Sequence, residues 1–533
     1  MAHELLREGD EVPAGGRLDF MAKVMHTLGR VEPRYESTVV ATARIDGVPD
    51  LDALRERARA ELLPFWPLRS VLETPPSGGA ARWRELTEAD MRARIVTQLV
   101  TTRLLASRHD FDGFVGDSFA LPWDWAAPLW RIELVTFADA PQQSALFVRL
   151  NHCIADGVAM LKMFLCLFDG GKANAVDPPR RRPTARAPAS AGARDRTARR
   201  SSPLEPALAC LPRVLRAPMA VPLGVARRFW IAVNGFAYAA LLPALPGDSR
   251  TALKLPSCAG HPGLSGRRIA GTAARVPFEA LHEVKEAFGC TVNDVLVACV
   301  AGAVRQYLIE ATGEREAQAS RAERGPRLVR ALLPANLRAD GSDALRALGN
   351  EWTLLGVALP VEHATPDARL REAIRRCDEL KLSPELAVTL ALNKLGVTLL
   401  PARVFADTTF KTMDKFSVLL SNVAGPRAPV TLLGSAVPHL AFFATSLVST
   451  CFDVLSYAGG VYFTVLADPA VLPRGAEPLL RAVTDELDAL VHAARAPARP
   501  PPFDALAWRR LVALVAVAGV LACAIRFNCL PRT

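Results

Sequence analysis

The sequence predicts an α/β (α+β) protein built from two packed units that a polar linker separates. Three observations support this prediction. The chain has 533 residues and is 50% apolar, which is more than one hydrophobic core usually holds. Patterns typical of strands and helices occur on both sides of residues 169–203. Those residues are rich in Arg, Pro and Ala, a composition that does not build a core.

The first unit is assigned to residues 1–168. Residues 38–45 are predicted to form a strand, and residues 51–63 a helix with apolar positions on one face. Residues 132–137 and 145–150 are apolar strands joined by a turn-like segment, so they predict an antiparallel hairpin. An α/β unit therefore begins near the start of the chain.

The hairpin leads through a short polar motif into residues 158–168. This segment is apolar on nearly every side except at Lys162, which predicts a buried helix. The local order is strand, motif, helix. The motif therefore lies where side chains from a rigid strand end can face a cleft.

The linker, residues 169–203, carries much of the formal net charge of +10. Residues 180–200 contain eight arginines, one acid and no aromatic side chain that could stack on a base. We therefore expect a solvated linker and no nucleic-acid partner. The next segment, residues 204–245, is apolar with prolines at 206, 212, 218 and 222. We expect several short helices there instead of one, lying on the protein or at a membrane surface.

The second unit is assigned to residues 204–495, including that apolar lead segment. Periodicity predicts helices and strands in the same α/β pattern as in the first unit. The predicted helices are residues 278–288, 292–308 and 478–494, and the predicted strands lie near residues 328–333, 352–359, 417–420 and 461–466.

The two ends of the chain differ in character. Residues 1–16 are charged and lack the apolar centre of a secretory signal. Residues 511–525 are uncharged and almost wholly apolar, so residues 505–526 are predicted to form a membrane-associated helix. The run alone would be about 22 Å long, short of the hydrocarbon core of about 30 Å. The alternative is a terminal helix packed on the protein.

His152 is the candidate catalytic base. It follows the predicted buried strand, within Asn151-His152-Cys153-Ile154-Ala155-Asp156-Gly157. A neutral imidazole with a pKa of about 6.5 can accept a proton from an attacking hydroxyl group. Asp156 is expected to anchor the loop through backbone amides or a buried arginine, and Gly157 to permit a tight turn or a close backbone approach. The alternative is a structural histidine in a turn.

Asn293 and Asp294 open the helix predicted from residue 292. Thr291 and Asp294 have the spacing of a capping box, which leaves Asn293 free to hydrogen-bond across a cleft. Nucleophile elbows, Walker loops and zinc-binding helices are absent from the sequence, and none of the ten cysteines forms a CxxC pair. We therefore expect no metal, and a reducing compartment. Cys153 would point away from His152 if the strand continues through it, so we expect no covalent catalysis by Cys153.

Together these segments resemble the wax ester synthase/diacylglycerol acyltransferase family. The family signature HHxxxDG corresponds to Asn151 through Gly157, so the first histidine of the motif is Asn151 here. The other matching blocks are Pro128-Leu129-Trp130, Asn293-Asp294, Pro334-Ala335-Asn336-Leu337-Arg338, Leu348-Gly349-Asn350 and residues 421–426. They occur in the expected order over residues 19–490, which makes the resemblance more specific than any single motif.

The resemblance implies two chloramphenicol-acetyltransferase-like domains with a tunnel between them and His152 at its middle. It implies an O-acyltransferase that takes acyl-CoA as co-substrate, needs no other cofactor, and acylates a long-chain alcohol, diacylglycerol or both. His152 would deprotonate the acceptor hydroxyl, and Asn293 is a candidate donor to the oxyanion. Asn151 and Asp294 would support the motif geometry.

Two other functions are compatible with the sequence. One is an inactive lipid-binding relative, in which Asn151 marks a lost site. The other is an acyltransferase for small polar acceptors. The apolar tail favours a membrane-associated enzyme at the endoplasmic reticulum or plasma membrane, with its catalytic domains in the cytoplasm, or an enzyme at the lipid droplet.

Overall fold

The computed structural model describes two large mixed β-sheets with helices packed on both, as expected for the α/β class, and a small sheet of two strands, Ser70–Glu73 and Arg82–Glu85. The described residues are 16–74, 81–170, 213–257, 261–312, 328–337 and 349–496. The Arg-rich linker from residue 171 onward and the apolar tail lie outside them. The tail helix and the domain boundaries therefore stay predictions.

Strands and helices are numbered along the described part of the chain. The strands are β1 (Thr38–Asp46), β2 (Ser70–Glu73), β3 (Arg82–Glu85), β4 (Val100–Leu105), β5 (Trp130–Phe137), β6 (Ser144–Asn151), β7 (Ile269–Thr272), β8 (Val276–Pro277), β9 (Arg330–Asn336), β10 (Trp352–Ala358), β11 (Val418–Ala424), β12 (Thr431–Leu432), β13 (Ser435–Ala444), β14 (Thr450–Tyr457) and β15 (Gly460–Ala467). The α-helices are α1 (Phe20–Val31), α2 (Leu51–Leu62), α3 (Glu88–Arg94), α4 (Phe111–Ser118), α5 (Gly157–Leu165), α6 (Arg213–Leu241), α7 (Phe278–Phe288), α8 (Val292–Thr312), α9 (Pro366–Leu382), α10 (Glu385–Leu399), α11 (Ala402–Met413) and α12 (Glu477–Arg495).

The first sheet has the strand order β12, β13, β1, β6, β5, β4. The predicted hairpin is confirmed, because β5 and β6 pair antiparallel with Trp130 opposite Leu150. All eight residues of β6 are buried. Leu146, Val148 and Leu150 contribute to one core cluster, and Ala145 and Phe147 to another on the opposite face. Burial on both faces explains why this strand has a nearly continuous apolar sequence.

Two strands of the first sheet come from the second half of the chain. Strand β13 pairs antiparallel with β1, with Val39 opposite Ala444, and β12 pairs with β13. Leu432 and Leu440 pack in the same core cluster as Leu54 of α2. The halves are therefore interlocked through a shared sheet.

The second sheet has the order β10, β9, β11, β14, β15, β7, and β8 also pairs with β15. Its predicted strands and its helices α7, α8 and α12 are confirmed with small differences at their ends. Helix α8 is long and apolar enough to cross a membrane, but two thirds of its apolar window is buried in the protein. It packs with α9 and α12 in the core of the second sheet.

Helix α6 contradicts the expectation that prolines divide residues 204–245 into short helices. It is one helix of 29 residues that passes through Pro218 and Pro222. A proline removes one backbone donor and often bends a helix, but it ends the helix only where packing does not compensate. Here Ile231, Gly235 and Ala239, four residues apart, are buried on one face. Tertiary packing of this face stabilises the helix.

A buried ion pair connects α6 to the second sheet. The Nε of Arg330 donates to Oδ1 of Asp248 at 2.7 Å, and both side chains are buried. The guanidinium also donates to the hydroxyl of Tyr238 on α6 at 3.0 Å. The hydroxyl of Ser417 donates to the other oxygen of Asp248 at 2.8 Å. The network therefore joins α6 to the first residue of β9 and to Ser417, which precedes β11.

Breaking this network should destabilise the protein. Arg330→Met leaves the buried Asp248 without its cation, which typically costs about 3–5 kcal/mol in the free energy of unfolding. The matched control is Arg84→Met, which removes a half-exposed pair with Glu73 and should cost less than about 1 kcal/mol. Urea denaturation of both variants measures the difference. Equal losses would contradict a structural role for the buried network.

Candidate active site

Asn151 and His152 lie where β6 ends. The amide of Asn151 donates to Leu129 O, and the amide of His152 donates to Ser37 O, so backbone bonds fix both residues. The side chain of Asn151 is buried, and its Oδ1 accepts a hydrogen bond from the amide of Cys153 at 2.9 Å. This bond stabilises the turn that carries His152. Asn151 therefore has a structural contact of its own at the position of the family's first histidine.

Asp156 anchors the end of the motif. Its Oδ1 accepts from the amide of Ala159 at 3.0 Å, which caps α5, and its Oδ2 accepts from the amide of Glu351 at 3.2 Å. The backbone amide of Asp156 donates to Gly349 O. The expected anchor thus includes backbone amides, and one of them belongs to the second half of the chain.

Gly349 allows the second half to approach the motif this closely. Its φ is +144°, a conformation that L side chains rarely adopt. A Cβ at this position would lie 3.3 Å from Oδ2 of Asp19. A larger residue would therefore strain the segment that follows.

The side chain of His152 is held by Asn350. Nδ1 of His152 lies 3.1 Å from Oδ1 of Asn350. Asn350 is itself fixed by Asp19, whose Oδ2 accepts from the Asn350 amide at 3.1 Å and from Nδ2 at 3.4 Å. Asp19 also caps α1 through the amide of Ala22 at 2.7 Å. A continuous hydrogen-bonded chain thus connects α1 to the imidazole.

Trp352 determines the orientation of the Asn350 amide. Its indole Nε1 donates to Oδ1 of Asn350 at 3.3 Å, and an indole nitrogen can only donate. Because Asp19 can accept but Trp352 can only donate, the amide oxygen must face Trp352 and His152. Nδ1 of His152 must then carry the proton, which leaves Nε2 with a free lone pair.

The environment of His152 keeps the imidazole neutral. Burial lowers the pKa of His152 below 6.5, and the hydrogen bonds that the ring makes with its own backbone and with Asn350 partly offset this effect. The ring centroid of Trp352 lies 5.2 Å from that of His152. The side chain is only half-buried, so a hydroxyl group can reach it. A neutral, oriented and accessible imidazole has the properties of a general base.

Cys153 is not a nucleophile in this arrangement. Its thiol is buried and contacts the carbonyl oxygen of Ala22 at 3.6 Å. Burial raises its pKa well above 9.0. Since the thiolate is the reactive form of cysteine, this thiol is inert at neutral pH.

Gly157 does not have the contacts that the sequence suggested. It is the first residue of α5, its φ is not left-handed, and a Cβ there would meet no heavy atom within 4 Å. The expectation of a tight turn or a close backbone approach is therefore wrong. The glycine instead borders open space beside the histidine motif.

Asn293 and Asp294 lie at the start of α8. The capping box forms as expected: Asp294 Oδ2 accepts from the Thr291 amide at 2.8 Å, and Thr291 Oγ1 accepts from the Asp294 amide at 3.3 Å. Asn293 Oδ1 accepts from Nδ2 of Asn422 at 2.8 Å. Among the described residues, neither Asn293 nor Asp294 shares a hydrogen bond with His152.

Sequence reasoning missed the roles of Asp19, Asn350 and Trp352. Asn350 belongs to a block that matches the family, but a single asparagine in a loop gives no sign of its partner. Asp19 has the pattern of a helix cap, which does not reveal its second contact. Their proximity to His152 arises from pairing between residues more than 190 positions apart.

One group in the described ranges has side chains close enough to hold a metal ion, namely Glu362, His363 and Glu372. Both carboxylates already pair with Arg376. This group lies near the start of α9 and shares no hydrogen bond with the histidine motif. We assign it no catalytic role.

Comparison with known proteins identifies two matching family models. The wax ester synthase/diacylglycerol acyltransferase catalytic domain matches residues 18–296, and the WS/DGAT C-terminal domain matches residues 348–491. A Mycobacterium tuberculosis protein named "probable diacylglycerol O-acyltransferase" is 27% identical over 477 residues, covering 86% of this chain and 92% of its own.

Solved structures show the same fold. The wax ester synthase/diacylglycerol acyltransferase from Marinobacter aquaeolei VT8 aligns with a TM-score of 0.57 at 17% identity, covering 90% of this chain and all of its own. A starter condensation domain of rhizomide synthetase, in complex with C8-CoA and Leu-SNAC, aligns with a TM-score of 0.51 at 13% identity, covering 92% of this chain and 96% of its own. Both have the chloramphenicol-acetyltransferase-like fold.

The hydrogen bond between Asn350 and His152 predicts a specific pH dependence. Because the pKa of His152 lies below 6.5, kcat/KM of the wild type should fall only as the pH drops below that value. Asn350→Asp places a carboxylate beside the imidazole, raises its pKa and should move this acidic limb to higher pH. Asn350→Ala removes a contact that raises the pKa and should move the limb to lower pH.

Asn350→Ala should also reduce kcat on the order of 10²-fold, because the ring is no longer held in position. The control is Asn234→Ala, whose amide contacts only the backbone of an exposed helix turn. The pH profiles of kcat/KM are the measurement. Loss of activity with an unshifted acidic limb would contradict the contact with His152.

Proposed function

This chain belongs to the wax ester synthase/diacylglycerol acyltransferase family, and we propose that it transfers a long-chain acyl group from acyl-CoA to a fatty alcohol, diacylglycerol or both, with His152 as general base. It is an O-acyltransferase of this class, as the named relatives indicate. The observation on which the proposal of the base rests is the contact of Nδ1 of His152 with Oδ1 of Asn350.

The reaction requires one proton acceptor and one carbonyl electrophile. Nε2 of His152 takes the proton from the acceptor hydroxyl as its oxygen attacks the thioester carbonyl. The tetrahedral intermediate collapses with cleavage of the carbon–sulfur bond. The imidazolium returns the proton to the CoA thiolate, so ester and free CoA leave and the neutral imidazole is restored. The ring of Trp352 beside the imidazole can stabilise the transient cation.

We place the apolar substrates next to these residues. Strands β9 and β11 pair only at Ala331 with Val418 and at Leu332 with Leu419, although both continue beyond these pairs. Asn336, at the far end of β9, is opposite Trp352. The ends of β9 and β11, which pair with other strands but not with each other, therefore flank the site, as does the open space at Gly157. A long acyl or alkyl chain could lie between them.

Asn293 is the proposed donor to the oxyanion. Its Oδ1 is engaged by Asn422 of β11, so its amide nitrogen faces another direction and can donate. Thr291 and Asp294 form the helix cap, so the Asn293 side chain is not needed for capping. Asp156 and Asn151 position the loop and do not transfer a proton in this proposal.

Association with a membrane or lipid droplet completes the proposal. Diacylglycerol and long-chain alcohols are held in lipid phases, so the enzyme must reach a lipid surface to bind them. The apolar tail at residues 505–526 is one candidate anchor. Endoplasmic reticulum, plasma membrane and lipid droplet remain the proposed sites.

The histidine variant tests the reaction and the base together. Radiolabelled palmitoyl-CoA is incubated with hexadecanol or with dipalmitoylglycerol, and the lipid products are resolved. His152→Ala should lower product formation by about 10²- to 10⁴-fold, whereas His282→Ala, an exposed residue of α7, should leave it unchanged.

Thermal unfolding of both variants checks that they are folded. Equal CoA release by the wild type and by His152→Ala would contradict the proposed base. No product from either acceptor, with folded wild-type protein, would favour the lipid-binding alternative.

The asparagine variant tests the oxyanion donor. Asn293→Ala should lower kcat on the order of 10²-fold, the usual effect of removing one such donor. The melting temperature should be unchanged, because the side chain is exposed and the capping box remains. A single-turnover assay with palmitoyl-CoA measures the chemical step. An unchanged rate would exclude Asn293 as the donor.

A further inference from the structure

Along residues 227–241, helix α6 exposes large apolar side chains on one face and buries Ile231, Gly235 and Ala239 on another. Phe229, Trp230 and Phe236 are 71%, 67% and 58% exposed. With Val233 they lie on one face of the helix, opposite the buried Gly235 and its neighbours at four-residue spacing. A helix on the surface of a globular protein usually shows polar residues to solvent. Helix α6 has the reverse arrangement.

Helices α10 and α11, which neighbour α6, also expose apolar side chains. Helix α6 packs on the start of α10, where a Cβ at Gly235 would touch Ser383 and Pro384. Ten of the sixteen exposed large apolar side chains of the described residues belong to this region. They are Phe229, Trp230, Val233, Phe236, Leu241, Leu392, Leu395, Leu399, Leu400 and Val404. Such a concentration marks an interaction surface.

The same region has few acids, and Asp407 of α11, which is partly exposed, already pairs with His261 and Lys411. Residues 213–247 contain no Asp or Glu, and neither do residues 386–406. Arg228, Lys394 and Arg403 are exposed, and none of them forms an ion pair with another described residue. Aromatic and aliphatic side chains beside unpaired cations are typical of segments that bind an anionic lipid surface.

We propose that α6, α10 and α11 form a docking surface for an anionic phospholipid bilayer. Phe229, Trp230 and Phe236 would enter the boundary between head groups and acyl chains, and the cations would contact the phosphates. Binding of the bilayer by this surface does not depend on the proposed reaction. The purpose we assign to it, bringing the enzyme to apolar substrates, rests on the proposed function.

Two other occupants would cover the same face, namely a second copy of the chain and its own apolar tail. The cations favour the bilayer. In contact with a second copy through the same surface, Arg228, Lys394 and Arg403 would face mainly cations, because Asp407 is the one acid of α11 and already pairs with Lys411. The tail is flanked by Arg509, Arg510 and Arg526 and would bring further like charge.

Fluorescence quenching tests the contact directly in the full chain. The protein is mixed with vesicles of phosphatidylcholine and phosphatidylglycerol whose acyl chains carry bromine, which quenches tryptophan on contact. Trp230 is the most exposed tryptophan of the described residues. We expect a quenched component in the wild type that is lost in Trp230→Phe and retained in Trp125→Phe. The component should disappear in vesicles of phosphatidylcholine alone at physiological salt.

Equal quenching of the wild type and Trp230→Phe would overturn the proposal. This is also the outcome expected if a second copy or the tail covers the surface. Because the tail carries Trp508 in all three proteins, anchoring by the tail adds the same signal to each. The difference between variants therefore reports on α6 alone.

A second experiment tests the docking surface independently of the proposed acyl transfer. One triple variant combines Phe229→Ser, Val233→Ser and Phe236→Ser. The matched control combines Val48→Ser, Leu104→Ser and Leu121→Ser, at exposed apolar residues outside α6, α10 and α11. With dipalmitoylglycerol in anionic vesicles, kcat/KM should fall about tenfold or more for the first set only. With acceptor in detergent, both sets should match the wild type.

The two assays separate the possible failures. Equal activity of both sets in vesicles would contradict the docking surface, whatever the reaction. Absence of activity in detergent, together with bromine quenching of Trp230, would contradict the proposed reaction and support the surface.

Discussion

The segment Gly349-Asn350-Glu351 binds three parts of the first half of the chain at once, and the geometry of the site depends on these contacts. Asn350 contacts His152 and Asp19, the amide of Glu351 contacts Asp156, and the carbonyl of Gly349 accepts from the amide of Asp156. The strand end supplies the histidine, but the second half orients it. A site assembled in this way exists only when both halves are folded and in register.

The interlocked sheets explain how that register is maintained. Strand β13 continues the first sheet, whereas β14 belongs to the second, so a short connection couples the two. Buried polar contacts add to this coupling, since Thr464 of β15 donates to the carbonyl of Phe442 in β13 at 2.7 Å. Shared cores transmit small shifts because they are closely packed. The distance from His152 to Asn350 therefore depends on packing far from the motif.

Local sequence patterns predicted the elements around His152, the hairpin before it, and the cap formed by Asp156. They failed where contacts between residues distant in sequence determine the structure. Strand β13 was not expected in the first sheet, because pairing between residues about 400 positions apart leaves no local signal. The prolines in residues 204–245 suggested several short helices where α6 is one helix, and Gly157 suggested a close approach where the structure has open space. Asn350 and Asp19 gain their importance only from being close to His152.

The tautomer of His152 is the most direct test of the central claim. In protein labelled with ¹⁵N at histidine, the His152 signals can be assigned by their loss in His152→Gln. We predict a neutral ring at neutral pH with the proton on Nδ1 and an unprotonated Nε2, and a mixture of tautomers in Asn350→Ala. A proton on Nε2 in the wild type, or a charged ring at neutral pH, would contradict this prediction.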